Sequence, residues 1–116
     1  MHKSTITIDV TLDDSRVPEH IEWKATESTA SVPQAAKAMI LALWDSSDKS
    51  ALRIDLWTQK MMVDEMADFY YQTLMTMADT YGRATQNQEM VNEMKEFAKG
   101  FYKKFQDQQL KENKAG

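Results

Sequence analysis

Apolar and polar residues alternate near the start of the chain. In STITIDVTLDD, Ile6, Ile8, Val10 and Leu12 alternate with Thr5, Thr7, Asp9 and Thr11, the period of two expected of a strand with one dry face. DDSRVPEH supplies turn residues, and Ile21, Trp23 and Ala25 then alternate with Glu22, Lys24 and Thr26, so the two segments predict a hairpin. A third alternation places Leu52, Ile54 and Leu56 against Arg53, Asp55 and Trp57.

Between and after these strands the period lengthens. Ser31 with Gln34 reads as a capping box, Pro33 suits a first helical turn, and AAKAMILALW follows, which predicts a helix ending at about Asp45. DSSDKS is a loop. A second helix is expected from Val63 to Arg83, with Asp64, Glu65 and Asp68 early, where the helix dipole favours negative charge. Thr85 and Gln88 suggest another capping box, opening a third helix whose Met90, Val91, Met94, Phe97, Ala98, Phe101, Tyr102 and Phe105 recur at spacings of three and four.

The expected fold is therefore α+β with the order ββαβαα. A three-stranded antiparallel sheet in the order 2-1-3 is covered on one face by helices, and its Thr/Asp/Lys/Arg face is left open. With 116 residues and no Gly/Ser linker, one domain over 1–105 is expected, followed by a polar tail at 106–116 too poor in apolar surface to offset its ordering entropy. The absence of cysteine removes disulfides, thiolate metal sites and a Cys nucleophile, and fits a reducing cytosol. A net charge of −4 argues against a nucleic-acid partner, which needs clustered Lys and Arg. The AAKAMILALW run has about half the length of a membrane span and contains Lys37, so no direct membrane insertion is expected.

Reaction chemistry finds little support. His20 and Glu22 have no further companions at metal-ligand spacing, DSSD lacks the Gly and the late Glu of a calcium loop, and the three glycines are too scattered to cradle a phosphate. Asp64 and Asp68 are explained by their place in the first helical turns. No catalytic, metal or cofactor residue is assigned, and no cofactor is expected.

Surface features are more informative. Arg53 and Asp55 are expected on the open sheet face, pairing across strands with Asp9 or Lys24, and alternation sends Trp57 to that face at the strand end. Aromatic and Arg residues dominate interface hot spots, which makes these three the leading candidates for partner binding. The second helix is apolar over a wide arc. Met62, Met66, Phe69, Tyr70, Thr73, Met77 and Tyr81 form one stripe, and Ala67, Tyr71, Leu74, Met75, Ala78 and Gly82 form another. Such a helix is ordinarily wedged between two layers. Leu41, Tyr71 and Met75 join the candidates as surplus apolar surface on the first two helices.

The segments IEWKAT, AKAMILALWD, LRIDLWTQKMMVDEM and FYYQTLMTMADTYGRAT together resemble the gliding motility protein GldC family of Bacteroidetes, across about residues 4 to 105. The family often places a Pro before VDEM, where this chain has Met62. The resemblance implies a small soluble cytoplasmic protein that assists gliding motility, and it supplies no catalytic residues. A non-enzymatic accessory protein, acting on a protein partner or on a second copy of itself, is thus expected. The alternative is a small-molecule or lipid-binding domain with a Met/Tyr-lined cavity between sheet and helices.

Overall fold

The computed structural model describes residues 1–27 and 29–115, with 114 and 115 described by their backbone alone. It is α+β, with the element order β1 (Ile6–Leu12), β2 (Pro18–Ala25), β3 (Gln34–Ala36), β4 (Ala38–Asp45), β5 (Ser50–Trp57), α1 (Val63–Thr85) and α2 (Gln88–Ala115). The chain divides into two compact units, Met1–Met61 and Met62–Gly116. The strands belong to the first and the helices to the second.

The first unit holds two antiparallel sheets, β1-β2-β3 and β4-β5. The expected hairpin of β1 and β2 forms, with Ile8 opposite Trp23 and Val10 opposite Ile21, so the alternating aliphatic positions share one face. Asp13 builds its turn. One carboxylate oxygen, Oδ1, accepts bonds from the Ser15 and Val17 amides at 2.8 and 3.0 Å, and Arg16 takes a left-handed φ of 64°. β3 adds to β2 with Ile21 opposite Ala36, and Ile21 and Ala30 are buried.

The helix expected between Ser31 and Asp45 is instead β3 followed by β4, so the order is not ββαβαα. Gln34 does not complete a capping box, since its backbone pairs opposite Trp23 while its side-chain amide donates to the Val32 carbonyl at 3.4 Å. A short apolar run is compatible with either conformation on periodicity alone, and a partner strand of equal length decides the matter here. Asp45 closes a tight turn by accepting the Ser47 and Asp48 amides at 2.9 and 3.3 Å, with Lys49 at a left-handed φ of 53°. β5 then returns beside β4.

The sheet order 2-1-3 is likewise replaced. The third strand of the sequence reading, now β5, pairs with β4 rather than β1. Thr58, just beyond β5, is buried, and both its amide and its hydroxyl donate to the Lys37 carbonyl, at 2.8 and 2.9 Å. That pair of hydrogen bonds closes the open end of the β4–β5 hairpin. Gln59 Nε2 donates to Asp13 Oδ2 at 3.1 Å, tying the segment after β5 to the β1–β2 turn.

The second unit is a helical hairpin. Glu65 Oε1 accepts the Met62 amide at 3.1 Å, so the N3 carboxylate satisfies a donor at the entrance to α1 although Met62 supplies no hydroxyl or carboxylate cap. Gln86 ends α1 in the left-handed region, φ 59°, its amide donating to the Gly82 carbonyl at 2.9 Å. Asn87, not the expected Thr85, caps α2: its Oδ1 accepts the Met90 amide at 3.2 Å, while Thr85 Oγ1 accepts the Asn87 amide.

Small side chains set the contact between the two helices. Ala67 and Ala78 of α1 and Val91 and Ala98 of α2 are buried. A Cβ on Gly82 would lie 2.9 Å from Val91 Cγ2, so the glycine permits the close approach. Tyr71 stacks on Tyr102 with centroids 4.9 Å apart, and Lys95 Nζ reaches Asp79 Oδ1 at 2.7 Å.

Candidate functional site

The β4–β5 hairpin exposes large apolar side chains on both of its faces. Its register places Ala38 opposite Trp57, Ile40 opposite Asp55, Ala42 opposite Arg53 and Trp44 opposite Ala51 on one face. Met39 opposite Leu56, Leu41 opposite Ile54 and Leu43 opposite Leu52 make the other face apolar up to the turn, where Asp45 stands opposite Ser50. Strand alternation produces both faces, because residues two apart point the same way.

Neither face is closed. Trp57 is 62% and Trp44 67% exposed on the first face, and Leu43, Leu52 and Ile54 are each more than half exposed on the second. The two indoles stand at opposite ends of the hairpin, about 20 Å apart at strand spacing, each opposite an alanine. Exposed apolar surface of this extent is uncommon on a folded chain.

Arg53 and Asp55 lie between the indoles. Arg53 Nη2 sits 3.2 Å from Asp55 Oδ2 along the same strand. They do not pair with Asp9 or Lys24, because β5 is not beside β1 and the residues opposite them on β4 are Ile40 and Ala42. The pair is solvent-exposed and contributes little to stability.

Of the sequence candidates, Arg53, Asp55 and Trp57 thus share one face. Leu41 stands on the reverse face, half-buried, on a strand instead of the expected helix. Tyr71 and Met75 are half-buried in the helical hairpin, where the Tyr71 ring meets Tyr102. Sequence reasoning missed Trp44 and Leu43 as surface residues because it placed them on a helix, and Leu52 and Ile54 because it sent them to the sheet face covered by helices. The available signal was hairpin arithmetic: an apolar run, the turn formers DSSDK, and a second run of matching length.

The rest of the chain offers little chemistry. Among the described residues no three His, Asp or Glu side chains gather as metal ligands, and His20 Nε2 lies 3.1 Å from Glu22 Oε1 in a simple two-residue pair. A cleft lined by Thr7, Asp9, Glu22, Trp23, Lys24 and Pro33 encloses about 50 Å³, well below the ~300 Å³ at which ligand pockets begin. Tyr102 has a raised pKa, first because Asp68 accepts its hydroxyl hydrogen, then through burial and the charges of Asp68 and Asp64. Among the described residues no helix is long and apolar enough to cross a membrane.

Comparison with known proteins adds one finding. The family described as gliding motility-associated protein GldC-like matches residues 18–107, a span that takes in the whole β4–β5 hairpin and most of both helices. No curated protein and no solved structure matches the chain.

Proposed function

The chain belongs to the gliding motility-associated GldC-like family, and from that premise we propose that it is a non-enzymatic, cytoplasmic accessory protein of the gliding machinery that acts by binding another protein. The working surface is the β4–β5 hairpin. The observation that carries this reading is the pair of exposed tryptophans, Trp44 and Trp57, on one face of a two-stranded ribbon. Large aromatic side chains left in water lose the stabilisation that burial would bring, about 1.5–3 kcal/mol for a large apolar side chain. A partner that covers them recovers it, with Arg53 and Asp55 between them supplying orientation.

The place of Tyr71 also favours a protein partner over a small ligand. Tyr71 stacks on Tyr102, and Ala67 and Ala78 beside it are buried, so this stripe of α1 serves the contact with α2. The exposed surface is a ribbon, not a chamber.

The test is genetic and structural together. In a gliding bacterium lacking its own copy of this family, the wild-type gene is expected to restore colony spreading, and the Trp44→Ala/Trp57→Ala gene is expected to fail at equal protein level. A photo-reactive residue at position 57 should capture one discrete motility component in the same cells. Full spreading by the double variant, with no adduct at position 57, would remove the hairpin from the function.

A further inference from the structure

β5 has two edges, and among the described residues only β4 pairs with it. A bare two-stranded ribbon is marginal in water, and an unpaired strand edge is a template for another strand. Natural edges are commonly protected by proline, bulges or charged side chains, lysine above all. β5, with the sequence SALRIDLW, has no proline, its register with β4 is unbroken, and its two charges are of opposite sign.

The order of those residues specifies the occupant. About Ile54 the strand is symmetric in character and antisymmetric in charge: Leu52 mirrors Leu56, and Arg53 mirrors Asp55. If two copies of β5 are laid antiparallel with Ile54 opposite Ile54, Arg53 of each copy lies opposite Asp55 of the other. Leu52 then faces Leu56, and the bulky Trp57 faces the small Ala51. Opposite charges directly across strands are favourable and like charges are not. The Ile54-centred register satisfies all four charges with no help from β4, whose residues opposite them are Ile40 and Ala42.

We infer that the free edge of β5 pairs with β5 of a second copy of this chain, in an antiparallel register centred on Ile54, to form a continuous four-stranded sheet β4-β5-β5-β4. The contact is isologous, so it closes at two chains. It uses the strand edge and leaves both indoles open, but it shares Arg53 and Asp55 with the docking surface proposed above. The outer edge of β4 has a related symmetry, with Lys37 and Asp45 about Leu41. There, however, Ala38 to Leu41 are half-buried and the Lys37 carbonyl already receives Thr58 twice, whereas Ala51 to Asp55 are exposed throughout.

The register makes a distinctive prediction for the full-length chain in sedimentation equilibrium. Wild type should dimerise. Asp55→Arg and Arg53→Asp each replace two attractive cross-strand pairs by two repulsive ones, so each variant alone should dissociate about tenfold or more readily. An equimolar mixture of the two variants should recover a dimer, because every opposed pair is again of opposite sign, and the double swap R53D/D55R should dimerise like wild type. Both positions are exposed, and unchanged far-ultraviolet circular dichroism checks that the variants fold. A wild type that stays monomeric to near-millimolar concentration overturns the inference. So does a dimer indifferent to either single reversal, which would place the contact on the β4 edge or on a sheet face, and so does a mixture that fails to reassociate.

Discussion

The contact inside the α1–α2 hairpin and the surface of the β4–β5 hairpin are built from apolar residues of different size. Where α1 meets α2, the buried side chains are small: Ala67, Ala78, Val91 and Ala98, with Gly82 against Val91. The β4–β5 ribbon carries large side chains, Trp44, Trp57, Leu43, Leu52 and Ile54, and leaves them mostly in water. The helical contact satisfies itself by close approach. The ribbon does not, and the docking surface proposed above consists of what it leaves open.

That contrast predicts unequal responses to mutation. Ala78 is fully buried, so Ala78→Leu should overfill the helix contact and destabilise the chain by about 1–3 kcal/mol, as overpacking of close-packed interiors does. Urea denaturation followed by helical circular dichroism measures it. A loss under about half a kcal/mol would mean that the helices separate without cost and that the contrast is overstated.

Next in size is Thr58→Val, which keeps the volume but removes the hydroxyl bonded to the Lys37 carbonyl. The amide of residue 58 still donates to that carbonyl, so the expected loss is about 1 kcal/mol. Hydrogen exchange of the β4 and β5 amides should accelerate. An unchanged exchange rate would show that the hairpin end is held without the hydroxyl.

Trp44→Ser and Trp57→Ser sharpen the comparison from the other side. Both indoles are exposed, so each change should alter the stability of the isolated chain by no more than about 0.5 kcal/mol while abolishing partner capture. A stability loss comparable with that of Ala78→Leu would instead show these rings to be structural, and the ribbon would cease to be a docking surface.

The same contrast explains what the sequence disclosed. The β1–β2 hairpin and α1 were legible because each carries a clean period: two in Ile6, Ile8 and Val10, and between three and four in Ala67, Tyr71, Leu74 and Ala78. The apolar run at 38–44 carries neither. Its strand state follows from pairing with β5, a non-local interaction that no window around Ser31 or Gln34 contains, and the apparent capping box there was a coincidence of residue types. Reading the segment from Ser31 to about Asp45 as a helix also displaced β5 to the side of β1 and so misassigned the partners of Arg53 and Asp55. Trp57 needed only local alternation, so its placement on the face with Arg53 and Asp55 could be read from seven residues. Trp44 needed the register of a hairpin that had not been recognised.

The smallest effect expected is a pH dependence confined to the helical unit. Tyr102 has its pKa raised above the ordinary phenol value of 10.0, chiefly by its hydrogen bond to Asp68 and then by burial and nearby negative charge. A raised folded-state value means that the folded chain holds the phenolic proton more tightly than the unfolded chain does. The resulting stabilisation is fully present below pH 10, the unfolded value, and is lost as pH rises through the folded value. Tyr102→Phe removes both the proton and the hydrogen bond, so the variant should be less stable than wild type at neutral pH and the gap should narrow above pH 10. Denaturation midpoints of the two chains across the alkaline range measure this directly. Curves that stay parallel would show that Asp68 does not hold the phenol, and the polar flank of the helix contact would then be as unpartnered as the ribbon.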